Sequence, residues 1–321
     1  MNLNNLTQLS GDASFRRFYR KKNKDITSII VFSKKKKKKL NLLIYDAINK
    51  ILIKNNICAP NLIRQEYNKN FIEFEDFGNL TIYKKLRKNR SKKIIIFKKV
   101  IDLLIKLQRI KTKEIKNFQN SKYKVPIYSK NKLLKESSLF LKWYLPKVIK
   151  KKIQKKIEYK LKSNFLKILE KLKYKNDIFV HRDFHVSNLM DYKNDISIID
   201  SQDAVYGNIA YDLASLIDDV RFKTTNKEKK EILNYYKKKN KKLNYKKLQN
   251  DFEILSVLRN LKIIGIFTRL SVRDKKDNYL KLIPYAWKLI ELRIKNNNNL
   301  HQLKMILDQY FLKNKKKIYE N

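Results

Sequence analysis

The chain has 321 residues and a net charge of +47, with 77 Lys and Arg against 30 Asp and Glu, and 43% of it is hydrophobic. That length and composition allow two lobes, each with its own core, and argue against a disordered chain. No run of about 18 apolar residues occurs, which excludes a membrane-spanning helix, and the single cysteine, Cys58, excludes an internal disulfide or a multi-cysteine metal site.

The N-terminus, Met1 to Gln8, has neither a basic nor an apolar leader region, so a cytoplasmic protein is expected. A charge this large ordinarily indicates nucleic acid. Here the lysines are spread along the whole chain and do not form one stripe with interleaved aromatics. They accompany abundant Asn and Ile and only 4 Gly and 4 Pro, the pattern that A/T-rich codons produce. Neither a specific nucleic-acid partner nor a membrane partner is therefore expected, only weak salt-sensitive binding to polyanions. A monomer is expected.

In chain order, Ser10-Gly11-Asp12 forms a turn before an alternating aromatic and basic run to Arg20 suited to a strand. Ile26 to Phe32 is a second, more apolar strand. Lys34 to Lys39 reads as a solvated loop. Leu40, Leu43, Ile44, Ala47, Ile48, Ile51 and Leu52 share one helical face, which Cys58-Ala59-Pro60 ends. Asn61 to Arg64 and Asn70 to Glu75 read as strands around a turn at Tyr67 to Asn70. From Glu75 to Asn79 the pattern changes, and nearly everything beyond is helical, at about 80–88, 91–110, 131–149, 152–174, 226–238, 245–263 and 280–295. The division expected is a small antiparallel sheet lobe with one helix, residues 1–77, and a larger helical lobe, residues 78–321. Asp76-Phe77-Gly78 spells a magnesium motif but precedes any catalytic loop, so it reads as the hinge between the lobes. The basic run from Lys147 to Lys162 reads as a solvated helix face.

Chemistry concentrates between Ile178 and Asp219, where two of the three histidines fall. His181-Arg182-Asp183 followed by Asn188 fits H-R-D-x-x-x-x-N, the catalytic-loop pattern of kinase-like phosphotransferases. Phosphoryl transfer needs a carboxylate that orients the attacking hydroxyl and accepts its proton, and oxygen ligands for Mg²⁺ bridging the nucleotide phosphates. Asp183 suits the first role and Asn188 the second. A hairpin from Leu189 to Ile199, turning at Asn194-Asp195, then delivers Asp200 beside Asn188 as a second metal ligand. Around them, His181 suits a structural role, and Arg182 either an anion contact or simple exposure. His185 suits phosphate-side support or loop support, and Asp203 a further metal or substrate contact. Asp212 opens a helix, which it would cap and from which it would brace the catalytic loop.

This segment, His181 to Met190 with Ile199 to Gly207 and Tyr211 to Leu216, resembles the aminoglycoside phosphotransferase family of kinase-like enzymes. Gly11 to Arg17, Glu75 to Thr81, Leu139 to Tyr144, and Leu258 to Leu270 with Arg273-Asp274 and Tyr279-Leu280 are similar to its cell-wall-recycling anomeric sugar kinases. The resemblance covers about residues 6–290. It implies a two-lobed α+β protein-kinase-like fold using ATP and Mg²⁺. The reaction it implies is transfer of the γ-phosphoryl group to the C1 hydroxyl of N-acetylmuramate or N-acetylglucosamine in peptidoglycan recycling. Backbone at Glu75, Asp76 and Phe77 would meet adenine. Ser10, Gly11, Asp12, Ala13 and Ser14 would lie over the phosphates, with Arg16 or Arg17 supplying the cation. The chain departs from the subgroup at Phe32 to Lys36, Val186-Ser187, Ser201 (usually aromatic) and Asn208 (usually proline). A kinase of the same fold for another small hydroxyl substrate, such as an aminoglycoside, an amino alcohol or another sugar, is the alternative. A pseudokinase or nucleic-acid-binding relic is a further one, against which the intact Asp183, Asn188 and Asp200 argue.

Overall fold

A five-stranded antiparallel sheet opens the chain, in the order β1-β2-β3-β5-β4, from β1 (Leu6–Leu9), β2 (Arg17–Asn23), β3 (Ile26–Phe32), β4 (Leu62–Glu66) and β5 (Phe71–Glu75). The computed structural model describes residues 6–9, 16–24, 26–33, 36–89 and 91–311. Ser10, Gly11, Asp12, Ala13 and Ser14 lie outside the described residues. Two compact units emerge from the packing: Met1–Pro126 with His181–Val205, and Ile127–Val180 with Tyr206–Asn321.

In the first unit, the β-branched run of β3 sits mid-sheet between β2 and β5, and Ile30 and Val31 are buried. Strand β1 was not foreseen; it pairs Leu6 with Lys21 and Leu9 with Phe18 along the edge. Helix α1 (Lys36–Lys54) starts inside the lysine run that read as a loop, since lysine is a good helix former and the apolar stripe behind it anchors the turn. Ala47, Ile48, Ile51 and Leu52 are buried as expected, but the buried face is wider than the expected stripe. Leu40 is 59% exposed, whereas Leu42 is fully buried and packs with Tyr45, Val31, Ile72 and Phe74. Asp46 and Asn49 are buried on the same helix, because α1 meets more than the sheet. Asp46 accepts the N–H of Phe118 at 2.7 Å, and Asn49 serves the segment after Asp200.

After β5, Gly78 adopts φ +77°, a conformation open to glycine at little cost. Helix α2 (Ile82–Lys88) is capped by Thr81, whose hydroxyl accepts the Lys84 N–H at 3.2 Å. Helix α3 (Lys93–Gln108) follows, then an unforeseen hairpin of β6 (Glu114–Lys116) and β7 (Lys122–Lys124).

The second unit begins with α4 (Lys130–Ser137), a π-helical stretch Phe140–Tyr144 and α5 (Leu145–Val148), where one unbroken helix was expected. Helix α6 (Lys151–Glu170) buries Ile157, Leu161 and Phe165 and exposes Lys151, Lys152, Lys155 and Lys156, the solvated basic face expected. Strand β8 (Ile178–Val180) ends this stretch. The chain then returns to the first unit with the hairpin β9 (Leu189–Tyr192) and β10 (Asp195–Ile198).

The second unit resumes with α7 (Ala210–Ile217), α8 (Asn226–Lys239), α9 (Tyr245–Asp274), α10 (Ile283–Ile294) and α11 (His301–Phe311). The expected end of α9 near residue 263 is overturned. The helix passes through Gly265 because that position lies against the Leu139 and Phe140 backbone, where a Cβ would collide. Asp212 lies in the first turn of α7 and not at its cap. Asn208 takes the capping bond, with Oδ1 accepting the Ala210 N–H at 3.0 Å. Its amide donates to Asp251 at 2.7 Å and to the Tyr174 carbonyl at 3.1 Å, bonds that a proline could not make. Among the described residues, no helix is long and apolar enough to cross a membrane.

Candidate active site

The candidate catalytic loop, His181 to Asn188, is held mainly by its own backbone. The Asp183 carbonyl accepts the His185 N–H at 3.0 Å and the Asn188 side-chain amide at 3.0 Å. A 3-10 turn, Val186–Asn188, follows, with the Asn188 N–H on the His185 carbonyl at 2.9 Å. Asn188 thus spends its amide nitrogen inside the loop, which fixes its orientation and leaves the oxygen as the group to offer a cation. His185 is buried, its Nε2 3.5 Å from that same nitrogen. His181 is 1% exposed and bonds the Ile199 carbonyl through Nε2 at 3.1 Å.

The β9–β10 hairpin closes the loop. It pairs Leu189 with Ile198, and the Ile199 N–H donates to the Asn188 carbonyl at 3.1 Å. Asp200 therefore follows directly beside Asn188. Its backbone is left-handed, with φ 61° and ψ 38°, and Arg182 is left-handed too, with φ 76°. Such non-glycine conformations cost energy and persist where surrounding contacts impose them. For Asp200 the imposing contacts come from α1. Its N–H donates to the Tyr45 hydroxyl at 3.3 Å, and the next residue, Ser201, fully buried, donates to Asn49 Oδ1 at 2.6 Å. Ser201 thus ties the segment to α1 by a polar bond, and Asn49 in turn donates to the Pro60 carbonyl at 2.9 Å.

Charge is arranged in a chain around Asp200. Arg16 is buried, lies 5.5 Å from the Phe18 ring and 5.6 Å from the Tyr45 ring, and donates to Asp200 Oδ1 at 2.9 Å. The Gln202 amide donates to Asp200 Oδ1 and to Asp203 Oδ2, both at 3.1 Å. Arg182 donates to the Asp203 carbonyl at 3.1 Å and lies 3.4 Å from its carboxylate. Burial, and then the Asp200 charge, push the Tyr45 phenol up to about 12, so it stays protonated at neutral pH.

In the segment after β5, within the first unit, Asp76 is clamped. Arg20 reaches its carboxylate at 2.5 and 2.9 Å, and the Gly78 N–H does so at 2.9 Å. Burial pushes the Asp76 carboxyl up, but Arg20, Gly78 and the Thr27 hydroxyl outweigh it and hold the group below its ordinary range. Glu75 accepts the Tyr192 hydroxyl at 3.0 Å, and Phe77 stacks on Tyr192 with ring centroids 4.5 Å apart. Arg17 is exposed at the start of β2. A cavity of about 650 Å³ lies elsewhere in the first unit, lined by Cys58, Lys85, Leu103 and Asp191 among others but by none of Asp183, Asn188 and Asp200.

The first unit thus gathers Asp183, Asn188, Asp200 and Asp203 with His181, Arg182 and His185, and adds Arg16, Tyr45, Asn49 and Gln202. Asp212 belongs to the second unit. Tyr45 and Asn49 carried no sequence signal of a site, being ordinary helix residues until α1 is placed. Gln202 could have been suspected from its position between two acids. The donor set, one carboxylate and one amide oxygen, fits magnesium, which takes one or two protein oxygens beside phosphates and water.

A sheet with one helix, a braced HRD loop and a hairpin ending in Asp define an enzyme that transfers a phosphoryl group to a hydroxyl. A family model described as the phosphotransferase enzyme family matches residues 5–248, and the chain belongs to that family. An N-acetylmuramate/N-acetylglucosamine kinase of Neisseria meningitidis serogroup B is 27% identical over 287 residues, 87% of this chain and 82% of the relative. One of the same name from Pseudomonas aeruginosa is 24% identical over 308 residues, 94% and 87% of the two chains. Among solved structures, an amicoumacin kinase in complex with AMP-PNP and Ca²⁺ has TM-score 0.60 at 12% identity, covering 89% of this chain and 88% of that one. That likeness makes the fold protein-kinase-like.

Proposed function

We propose that this protein uses ATP and Mg²⁺ to phosphorylate the anomeric C1 hydroxyl of an amino sugar, N-acetylmuramate or N-acetylglucosamine, in the recycling of peptidoglycan. The observation that carries the phosphoryl-transfer chemistry is the assembly of Arg16, Asn188 and Asp200 about one hairpin, directly after the loop that holds Asp183. Asp183 accepts the proton of the attacking hydroxyl. The sugar oxygen forms its bond to the γ-phosphorus as the bond from that phosphorus to the β,γ-bridging oxygen breaks, and ADP leaves with the electron pair. Asn188 and Asp200 would hold magnesium, which supplies neutralising charge to the phosphates. Arg16, caged by Phe18 and Tyr45, takes the phosphate-pairing role for which no lysine stands out. Backbone at Glu75 to Phe77 meets adenine, and the clamp on Asp76 holds that edge in shape.

The sugar is supported by the two relatives of that name and by the stretches at 11–17 and 258–270. A place in the cytoplasm and a monomeric state go with this reading. The test is a substrate screen with ATP and Mg²⁺ against N-acetylmuramate, N-acetylglucosamine, an aminoglycoside and choline. Acid-labile phosphate on the amino sugars, lost in Asp183→Asn, is the expected result. Transfer to the aminoglycoside or choline alone would overturn the sugar assignment.

A further inference from the structure

Two carboxylates of this protein are bonded in different ways. Asp218, fully buried at the end of α7, uses both oxygens. Its Oδ1 takes Lys229 at 3.1 Å and Arg293 at 2.9 Å, and its Oδ2 takes Arg293 at 2.7 Å and the Ser256 hydroxyl at 2.6 Å. Asp200, in the first unit, uses one. Arg16 at 2.9 Å and the Gln202 amide at 3.1 Å both donate to Oδ1, and among the described residues Oδ2 accepts no hydrogen bond. The same Gln202 nitrogen donates to Asp203 Oδ2 at 3.1 Å. Gln202 itself is 4% exposed, and among the described residues its side-chain oxygen is buried without a partner. The Asp200 and Asp203 side chains are 40% and 50% exposed.

A buried acceptor left without a donor costs energy. Turning the amide over would bring no relief, because its oxygen would then face two carboxylates, acceptor against acceptor. The two acids therefore dictate how the amide lies. The amide in turn holds side by side two like charges that repel. We infer that Gln202 is a positioning residue of the metal site: with Arg16 it occupies Oδ1 of Asp200 and leaves Oδ2 as the oxygen for a divalent cation. Through Asp203, whose carbonyl accepts Arg182 at 3.1 Å, it also ties Asp200 to the residue next to Asp183. Gln202 acts through Asp200 and not by contact with the cation. This rests on the proposed function, in which Asp200 holds magnesium.

The experiment measures AMP-PNP binding to the full-length protein by calorimetry, once with Mg²⁺ and once with EDTA. The ratio of the two affinities reports how well the site holds the metal, and no turnover enters it. Gln202→Met keeps the length of the side chain and removes both N–H groups. The ratio is expected to fall about tenfold, the lower end of the range for losing a partner of a metal ligand, with binding in EDTA unchanged. Asp203→Ala, at a half-exposed position where folding is not at stake, is expected to lower the ratio less. In the double variant it should add nothing to Gln202→Met, because Asp203 acts through the amide. Because the ratio is internal, loss of folded protein cannot imitate the effect. An unchanged ratio in Gln202→Met, or effects of the two substitutions that simply add, overturns this inference alone. Equal binding with Mg²⁺ and with EDTA in the unaltered protein overturns the magnesium role in the proposed function and the inference with it.

Discussion

Nη2 of Arg16 donates to Oδ1 of Asp200 at 2.9 Å, joining residues 184 positions apart in the chain. The carboxylate that ends the β9–β10 hairpin is thereby paired with a cation brought by the entrance to β2, and Tyr45 and Phe18 fix that cation in place. Arg16→Ala is expected to lower kcat/KM for ATP about a hundredfold, the usual scale for removing a preorganised charge-stabilising donor. Arg16→Lys should recover part of it. Arg17→Ala, at an exposed position, is expected to stay close to the unaltered protein. Steady-state kinetics with varied ATP decide it, and equal effects at 16 and 17 would remove Arg16 from the phosphate-binding role.

Asp183→Asn is expected to reduce kcat by about 10²–10⁴, the range for losing a general base. Chelation of divalent ions by EDTA should stop transfer and added magnesium restore it. Asp200→Asn should raise the magnesium concentration for half-activity by at least the roughly tenfold cost of losing a mere outer-shell partner. Magnesium titrations of phosphate transfer read this directly.

The Asp218 cluster makes acid stability predictable. Burial alone would raise its pKa, but Lys229 and Arg293 outweigh burial and depress it to about 2 from 3.8. A carboxyl depressed on folding adds stability above its unfolded pKa and loses it as pH falls toward the folded one. The contribution should thus be complete above about pH 4 and fade between pH 4 and 2. Arg293→Met leaves Lys229 as the remaining cation on a fully buried carboxylate and is expected to cost about 3–5 kcal/mol. Urea unfolding followed by tryptophan fluorescence, with Trp287 in the neighbouring face of α10, measures both effects.

Gly265 is expected to resist substitution. A Cβ there would collide with the backbone of Leu139 and Phe140, at the point where the π-helical stretch crosses α9. Backbone cannot rotate aside as a side chain can, so Gly265→Ala should cost at least the about 1–3 kcal/mol typical of overpacking. A melting temperature equal to that of the unaltered protein would show that the two helices separate freely.

Much of the first unit was legible beforehand. Apolar patterning placed β2, β3, β4 and β5, and the order Asp183, Asn188, Asp200 named a phosphotransferase, because loop length and hairpin spacing are local properties. Elements failed where long-range packing outweighed local pattern. Strand β1 is a four-residue edge strand whose identity comes from its partner. The hairpin at 114–124 exists through Asp46 and the α1 surface. Helix α9 continues past Gly265 because of what lies across from it.

The residues around Asp200 divide along the same physical line. Sequence by itself determined the family and the class of reaction, since the motif that carries them depends on residue types at fixed short separations. Only the tertiary structure decided that Arg16 and not Arg17 meets Asp200, that Ser201 bonds Asn49, and that Arg221 lies over Phe267. Each joins groups whose distance in the chain says nothing of their distance in space. Which of them meet is settled by how helices and sheet pack, and by the cost of leaving a buried charge or donor without a partner.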